Sequence, residues 1–184
     1  LTASGIYAST AGSFRGTVAT FFYSDRQAHP SDFKAMIDWG DGHTSMGQIQ
    51  GGNGNFTVQG SHRYSAGRLY HVRVTIRAKA GASAIARSQI TVIELSGIPA
   101  GCATSFTAQV RSSGISRLTI QLDGKPVLTQ TVRRGSVYWA RVHPASGSHE
   151  LTVHVSFERS RHLGPRTLRR TVRSCSPAAP AFTG

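Results

Sequence analysis

Ile37-Asp38-Trp39-Gly40-Asp41-Gly42 is the stretch on which the fold turns. Upstream of it Phe33, Ala35, Ile37 and Trp39 alternate with Lys34, Met36 and Asp38, the period-two pattern of a strand with one face buried. Trp39 ends the inward-facing series, where a large ring caps a core. Gly40 and Gly42 permit the positive φ of a tight turn, and Asp41 can bond its own backbone to close it. The same period recurs in Tyr70, Val72, Val74 and Ile76, in Ala84, Ala86, Ser88, Ile90 and Val92, and in Leu151, Val153, Val155 and Phe157. Leu118, Ile120 and Leu122 alternate up to Asp123-Gly124, a strong hairpin signal with Val127-Leu128 on the returning strand. No stretch sustains a helical period for three turns. Many short strands with glycine-rich turns predict an all-β chain, two tandem Ig-like antiparallel β-sandwiches.

Composition agrees. The chain has 184 residues, 39% hydrophobic and only 16% charged, which excludes disorder, and no apolar run approaches the 18 residues of a membrane span. Residues 1–99 carry nine Lys and Arg against five Asp and Glu; residues 100–184 carry twelve against three. A composition break and the punctuated stretch Ser96 to Gly101 put the domain boundary at 98: a sandwich over 1–98, another over 99–176, and a Pro/Ala-rich tail over 177–184. The chain starts at Leu1 with no leader, which is read as a processed or trimmed product. Cys102 and Cys175, 73 positions apart, fit no metal-binding spacing. As a disulfide they would tie the first strand of the second domain to its last and imply an oxidising compartment; two buried thiols in a cytosolic protein are the alternative.

The motif set resembles one family. Ile37 to Gly42, then Gly60-Ser61-His62-Arg63-Tyr64, then Gly67-Arg68-Leu69-Tyr70-His71-Val72-Arg73-Val74 resemble the polycystic-kidney-disease-type (PKD) domain over about residues 10–95. The resemblance implies a seven-stranded Ig-like sandwich whose structural motif here is Trp39, Gly40, Asp41, Gly42, His62, Tyr64 and Tyr70. Trp-Gly-Asp-Gly replaces the family's longer Trp-x-Phe-Gly-Asp-Gly. Tyr64 and Tyr70 are expected to cover the sandwich edge. Leu122 to Val127 and Gly147 to Val153 resemble bacterial Ig-like repeats, and Gly60-Ser61-His62 and Gly147-Ser148-His149 read as equivalent corners of two related sandwiches.

No catalytic signature is present: no G-x-S-x-G, no H-E-x-x-H and no Walker loop. Asp38, Asp41 and His43 place carboxylates and an imidazole within six residues, but the two carboxylates point to different faces and no further ligand is local, so a structural turn is expected rather than a metal centre. Neither cofactor nor catalysis is expected. The basic residues Arg133, Arg134, Arg159, Arg161, Arg166, Arg169 and Arg173 could form a stripe for acidic polymers such as polysaccharide, against the alternative of a solvated face in which Arg replaces Lys. Without an aromatic platform at nucleic-acid spacing, sequence-specific reading of nucleic acid is not expected.

The functional expectation is a non-enzymatic, secreted or cell-surface structural or adhesive protein. Its partners would include other copies of itself, held by strand donation or head-to-tail contact in a pilus-like filament. Residues 1–11 and the tail with Phe182 are the segments available as donors. The rival is a substrate-binding or spacer module of a secreted hydrolase.

Overall fold

The computed structural model describes residues 1–131 and 136–175. The chain divides into two compact units, Leu1–Ile93 and Glu94–Gly184, both built from strands. Among the described residues no helix is long and apolar enough to cross a membrane.

In the N-terminal unit the strands are β1 (Thr2–Gly5), β2 (Tyr7–Thr10), β3 (Ser13–Phe22), β4 (Phe33–Asp38), β5 (Thr44–Gly52), β6 (Asn55–Arg63), β7 (Leu69–Ala78) and β8 (Ser83–Val92). They run in the order β1-β3-β6-β5-β4-β7-β8-β2. The β5 strand belongs to both layers of the sandwich. Its first half pairs β4 (Ala35 opposite Gly47), and its second half pairs β6 (Gln48 opposite Gln59). At the crossing a Cβ on Gly47 would lie 2.4 Å from Val58 and 3.2 Å from Ile37, so only glycine lets the layers approach there.

One core joins the layers: Val18, Phe21, Phe56 and Val58 from one, Phe33, Ala35, Ile37, Val72, Val74, Ile76 and Ile90 from the other. The Phe21 and Phe33 rings meet edge to face at 5.0 Å. Tyr64 and Tyr70, expected at the sandwich edge, are instead buried inside it, with their hydroxyls donating to the carbonyls of Trp39 and Ala66.

Residues 1–11, expected as a free donor strand, are used by their own unit. β1 pairs β3 antiparallel, and β2 pairs β8 in parallel from Tyr7 opposite Gln89 to Thr10 opposite Val92. Between them the chain crosses from one layer to the other past buried Ser88. The Ser88 hydroxyl accepts the Ile6 N–H at 3.0 Å and donates to the Val18 carbonyl. One side of each of these two strands is thereby paired at home.

The C-terminal unit has β9 (Glu94–Ser96), β10 (Phe106–Arg111), β11 (Ile115–Leu122), β12 (Lys125–Thr131), β13 (Val137–Val142), β14 (Gly147–Phe157) and β15 (Arg166–Ser174). They form a three-stranded sheet, β13-β10-β9, and a four-stranded sheet, β12-β11-β14-β15. The boundary expected at residue 98 falls after Ile93 instead. Glu94, Leu95 and Ser96 pair with Arg111, Val110 and Gln109, so the punctuated stretch lies inside the second unit. Asp123 and Gly124 make the β11–β12 turn with φ of 48° and 78°, as a two-residue hairpin loop requires.

Cys102 and Cys175 form a disulfide with Cα atoms 5.1 Å apart. Cys102 lies between β9 and β10, beside the last strand: it bridges to Arg173 in parallel, and Ala103 N–H donates to the Arg173 carbonyl at 3.1 Å. Replacing both cysteines by serine is expected to destabilise this unit by about 4 kcal/mol, read by denaturant unfolding. Trp39→Ala, at a site 1% exposed, is expected to cost about 3–5 kcal/mol in the same measurement.

Candidate functional site

The turn after β4 becomes a built corner because three bonds donated by backbone N–H groups fix it. Trp39 N–H donates to the His43 carbonyl (3.0 Å), Gly40 N–H to Asp38 Oδ1 (3.0 Å) and His43 N–H to Asp41 Oδ1 (3.2 Å). Gly40 has φ 78°, and a Cβ there would sit 2.5 Å from the His71 carbonyl oxygen. The Asp41 side chain, thus aimed, meets His62 from β6, with Nε2 2.7 Å from Oδ2. The His62 ring stacks on Trp39 at 5.0 Å and 13°, and meets Tyr64 edge to face at 4.7 Å. The Trp39 indole N–H donates to Ser45 Oγ at 3.0 Å. Glycine at position 60 makes room for that indole, since a Cβ would lie 2.8 Å from it.

Burial pushes the Asp41 carboxyl up, but hydrogen bonds from the His62 ring and from His43 outweigh it and hold the group below its ordinary value. Burial, reinforced by the negative charge of Asp41, drives the Tyr64 phenol well above its usual range.

His43 Nδ1 lies 3.2 Å from the same carboxylate, so Asp41, His43 and His62 gather three donor atoms within 4.8 Å of one another. The sequence expectation of a plain turn differs here, because the third donor comes from a strand 21 residues away and no local spacing announces it. Asp38 is not part of the cluster; its carboxylate is engaged by the Gly40 N–H.

The C-terminal unit repeats the device at another place. Asp123 of the hairpin turn bonds His149 Nδ1 at 2.6 Å, and His149 Nε2 faces the Ala145 carbonyl at 2.7 Å. Both Gly-Ser-His segments therefore hold the aspartate of an Asp-Gly turn. The corners are not equivalent in topology: β6 neighbours the strand after its turn, whereas β14 neighbours the strand before it.

Among the described residues the arginines expected as a stripe are divided between two elements. Arg133 and Arg134 lie outside the described residues. Arg159 and Arg161 sit in a short 3-10 turn after β14, with the Arg161 side chain packed against Gly114. Arg166, Arg169 and Arg173 are on β15, where Arg169 is engaged by Glu150 at 3.0 Å.

An outward aromatic that the sequence reading did not single out is Trp139. It lies on the solvent face of the β13-β10-β9 sheet, 62% exposed, while its neighbours Tyr138 and Ala140 point into the core. The register sets Trp139 opposite Gln109, Arg141 opposite Thr107, and Val137 opposite Arg111, with Glu94 beyond Arg111. The alternation Val137, Trp139, Arg141 is the signal that points to it: an aromatic at an outward position of a half-buried strand. A second candidate surface is a polar groove in the N-terminal unit, about 690 Å³, lined by Arg15, Gln48, Gln50, Gln59, Ser61 and Met46.

No protein-family model and no curated protein matches the chain. Among solved structures, it is similar to fibronectin(III)-like modules of Clostridium thermocellum CbhA, over 93% of this chain and 90% of that one, at 13% identity and TM-score 0.30. A chimeric titin Z1Z2 tandem aligns over 94% and 95%, at 11% identity and TM-score 0.29. A Bacteroides ovatus glucan-utilisation protein, SGBP-B, solved with a mixed-linkage heptasaccharide, aligns over 92% of this chain and 43% of that one, at 16% identity and TM-score 0.27. The Ig-like assignment rests on the strand topology and the two cores rather than on these alignments.

The Asp123–His149 pair carries a pH signature. Its hydrogen bond to Asp123, then the Ala145 carbonyl, raises His149 above 6.5, and the bonds from His149 and the Glu150 N–H lower Asp123 below 3.8. The histidine's contribution is complete below pH 6.5 and disappears as pH rises through its raised value. The aspartate's is complete above pH 3.8 and disappears as pH falls through its lowered value. The pair is expected to stabilise the unit most between those limits. NMR titration of His149 should give a midpoint above 6.5, falling toward the ordinary value in Asp123→Asn.

Proposed function

We propose that the chain is a non-enzymatic, extracellular pair of Ig-like modules, the first PKD-like, that adheres to acidic polysaccharide through the outer face of the β13-β10-β9 sheet. The observation that carries this reading is Trp139. A flat indole 62% exposed on a rigid sheet offers its face to the C–H face of a pyranose ring, which aromatic side chains stack against. Arg141 lies two residues along the same strand face, about 7 Å away, within reach of a carboxylate on the same sugar chain. Glu94 pairs with Arg111 in register at the end of the face away from Arg141. The excess of basic residues in the C-terminal half favours an anionic over a neutral ligand.

The disulfide supports the extracellular assignment, because a bond of this kind persists in an oxidising compartment. The PKD-like assignment is supported by the way Trp39, Asp41, His62, Tyr64 and Tyr70 gather into one cluster. A binding module that holds a secreted hydrolase on its substrate would use the same face and differ only in having a catalytic domain encoded alongside. Self-assembly by donation of residues 1–11 is not carried forward, since β3 and β8 of the same unit already hold that segment. The tail over 177–184 lies outside the described residues.

Trp139→Ala is expected to weaken binding to polygalacturonate about tenfold while leaving thermal stability unchanged, because the side chain is outside the core. Binding should also weaken as salt rises, and neutral dextran should bind far less. Affinity electrophoresis in gels containing each polymer checks all three. Unchanged retardation of Trp139→Ala would remove the basis of this reading.

A further inference from the structure

The fold uses the backbone of His43 and has no need of its ring. The carbonyl and N–H close the turn, while the imidazole is 73% exposed and yet directed at Asp41. His62 and Asp41, by contrast, are each only 14% exposed and held in place, the ring between Trp39 and Tyr64 and the carboxylate by the His43 N–H. Two donors are thus pre-positioned and a third can swing in from solvent.

We propose that Asp41, His43 and His62 form a binding site for a divalent transition-metal ion with the preferences of Zn²⁺. Two imidazoles and one carboxylate suit zinc and its neighbours; calcium and magnesium require a set of oxygen ligands that this corner does not supply. The geometry is close to that needed. Tetrahedral zinc with bonds of about 2.0–2.1 Å sets its ligand atoms roughly 3.3 Å apart. Here His43 Nδ1 is 3.2 Å and His62 Nε2 2.7 Å from the carboxylate oxygens, and all three donor sites lie within 4.8 Å. Binding therefore asks the His62–Asp41 hydrogen bond to open by about half an ångström and the exposed His43 ring to close. Three protein ligands leave a fourth position on the exposed His43 side for water or an outside ligand. The His43 N–H on Asp41 Oδ1 and the Trp39 ring under His62 orient the ligands from behind, as supporting contacts do in established metal sites. The inference is independent of the polysaccharide face, which lies in the other unit.

The test is calorimetric titration of the chelator-treated full chain with zinc chloride at neutral pH, repeated on His43→Ala and His149→Ala. The expected result is one equivalent of zinc bound by the wild type, at least a tenfold loss of affinity in His43→Ala, and no change in His149→Ala. Because the His43 ring is exposed, this variant is expected to keep the wild-type fold, which far-UV circular dichroism verifies. Cobalt(II) supplies a second readout: visible d–d absorption of a tetrahedral site in the wild type and its loss in His43→Ala. Absence of zinc binding at millimolar concentration, or binding that survives His43→Ala, would overturn the proposal.

Discussion

The carboxylate of Asp41 closing on His62 is the contact around which the N-terminal sandwich is organised. It ties the turn that ends β4 to a strand of the other layer, and through the stacked imidazole it clamps the indole of Trp39 over one end of the core. The charge–dipole bond and the ring stack support each other: the bond orients the imidazole, and the flat imidazole covers a ring that would otherwise meet water. The phenols of Tyr64 and Tyr70 continue the stack inward at 4.1 Å, and Arg68 covers Tyr70 from outside with its guanidinium 4.6 Å from the ring. One corner therefore couples electrostatics to the packing of four aromatic rings.

The C-terminal unit obeys the same constraint with less aromatic mass. Among the described residues its core is aliphatic apart from Phe106, Tyr138 and Phe157, and its Asp123–His149 corner is a salt bridge at the surface rather than a cap on the core. A small sandwich buries a smaller fraction of its unfolded surface than a large domain does, and the disulfide that fastens the segment between β9 and β10 to the end of β15 offsets that deficit. Trp139 is left over from both tasks. It neither fills the core nor joins a corner.

Most strands were legible in the sequence, because period-two alternation is a direct record of a two-faced sheet. Phe33 to Trp39, Tyr70 to Ile76 and Leu151 to Phe157 all bury the residues the alternation assigns inward. Thr152 departs from its outward assignment: it is 6% exposed, bonded to Glu150, which also holds Arg169. The pairing partners were not legible. Nothing local says that Thr2–Gly5 and Tyr7–Thr10 divide between two layers, or that Glu94–Ser96 belongs to the second unit. Those outcomes depend on where distant edges lie open. The candidate sites follow the same division. Cys102 and Cys175 were readable as the only pair, and Asp41 as a turn residue. His62 reaching Asp41, His149 reaching Asp123, and Trp139 lying between Gln109 and open solvent are products of register between strands, which a single sequence does not spell out.

In the proposed role the Trp139 face is the surface that meets a ligand, while the other tryptophan serves the core. The chain has two tryptophans, so its two indole N–H resonances separate these roles in a single spectrum. Titrating the isotope-labelled full chain with an acidic oligosaccharide should move the Trp139 indole resonance progressively and leave that of Trp39 in place. A Trp139 signal that stays still at saturating oligosaccharide would contradict a binding role for that face.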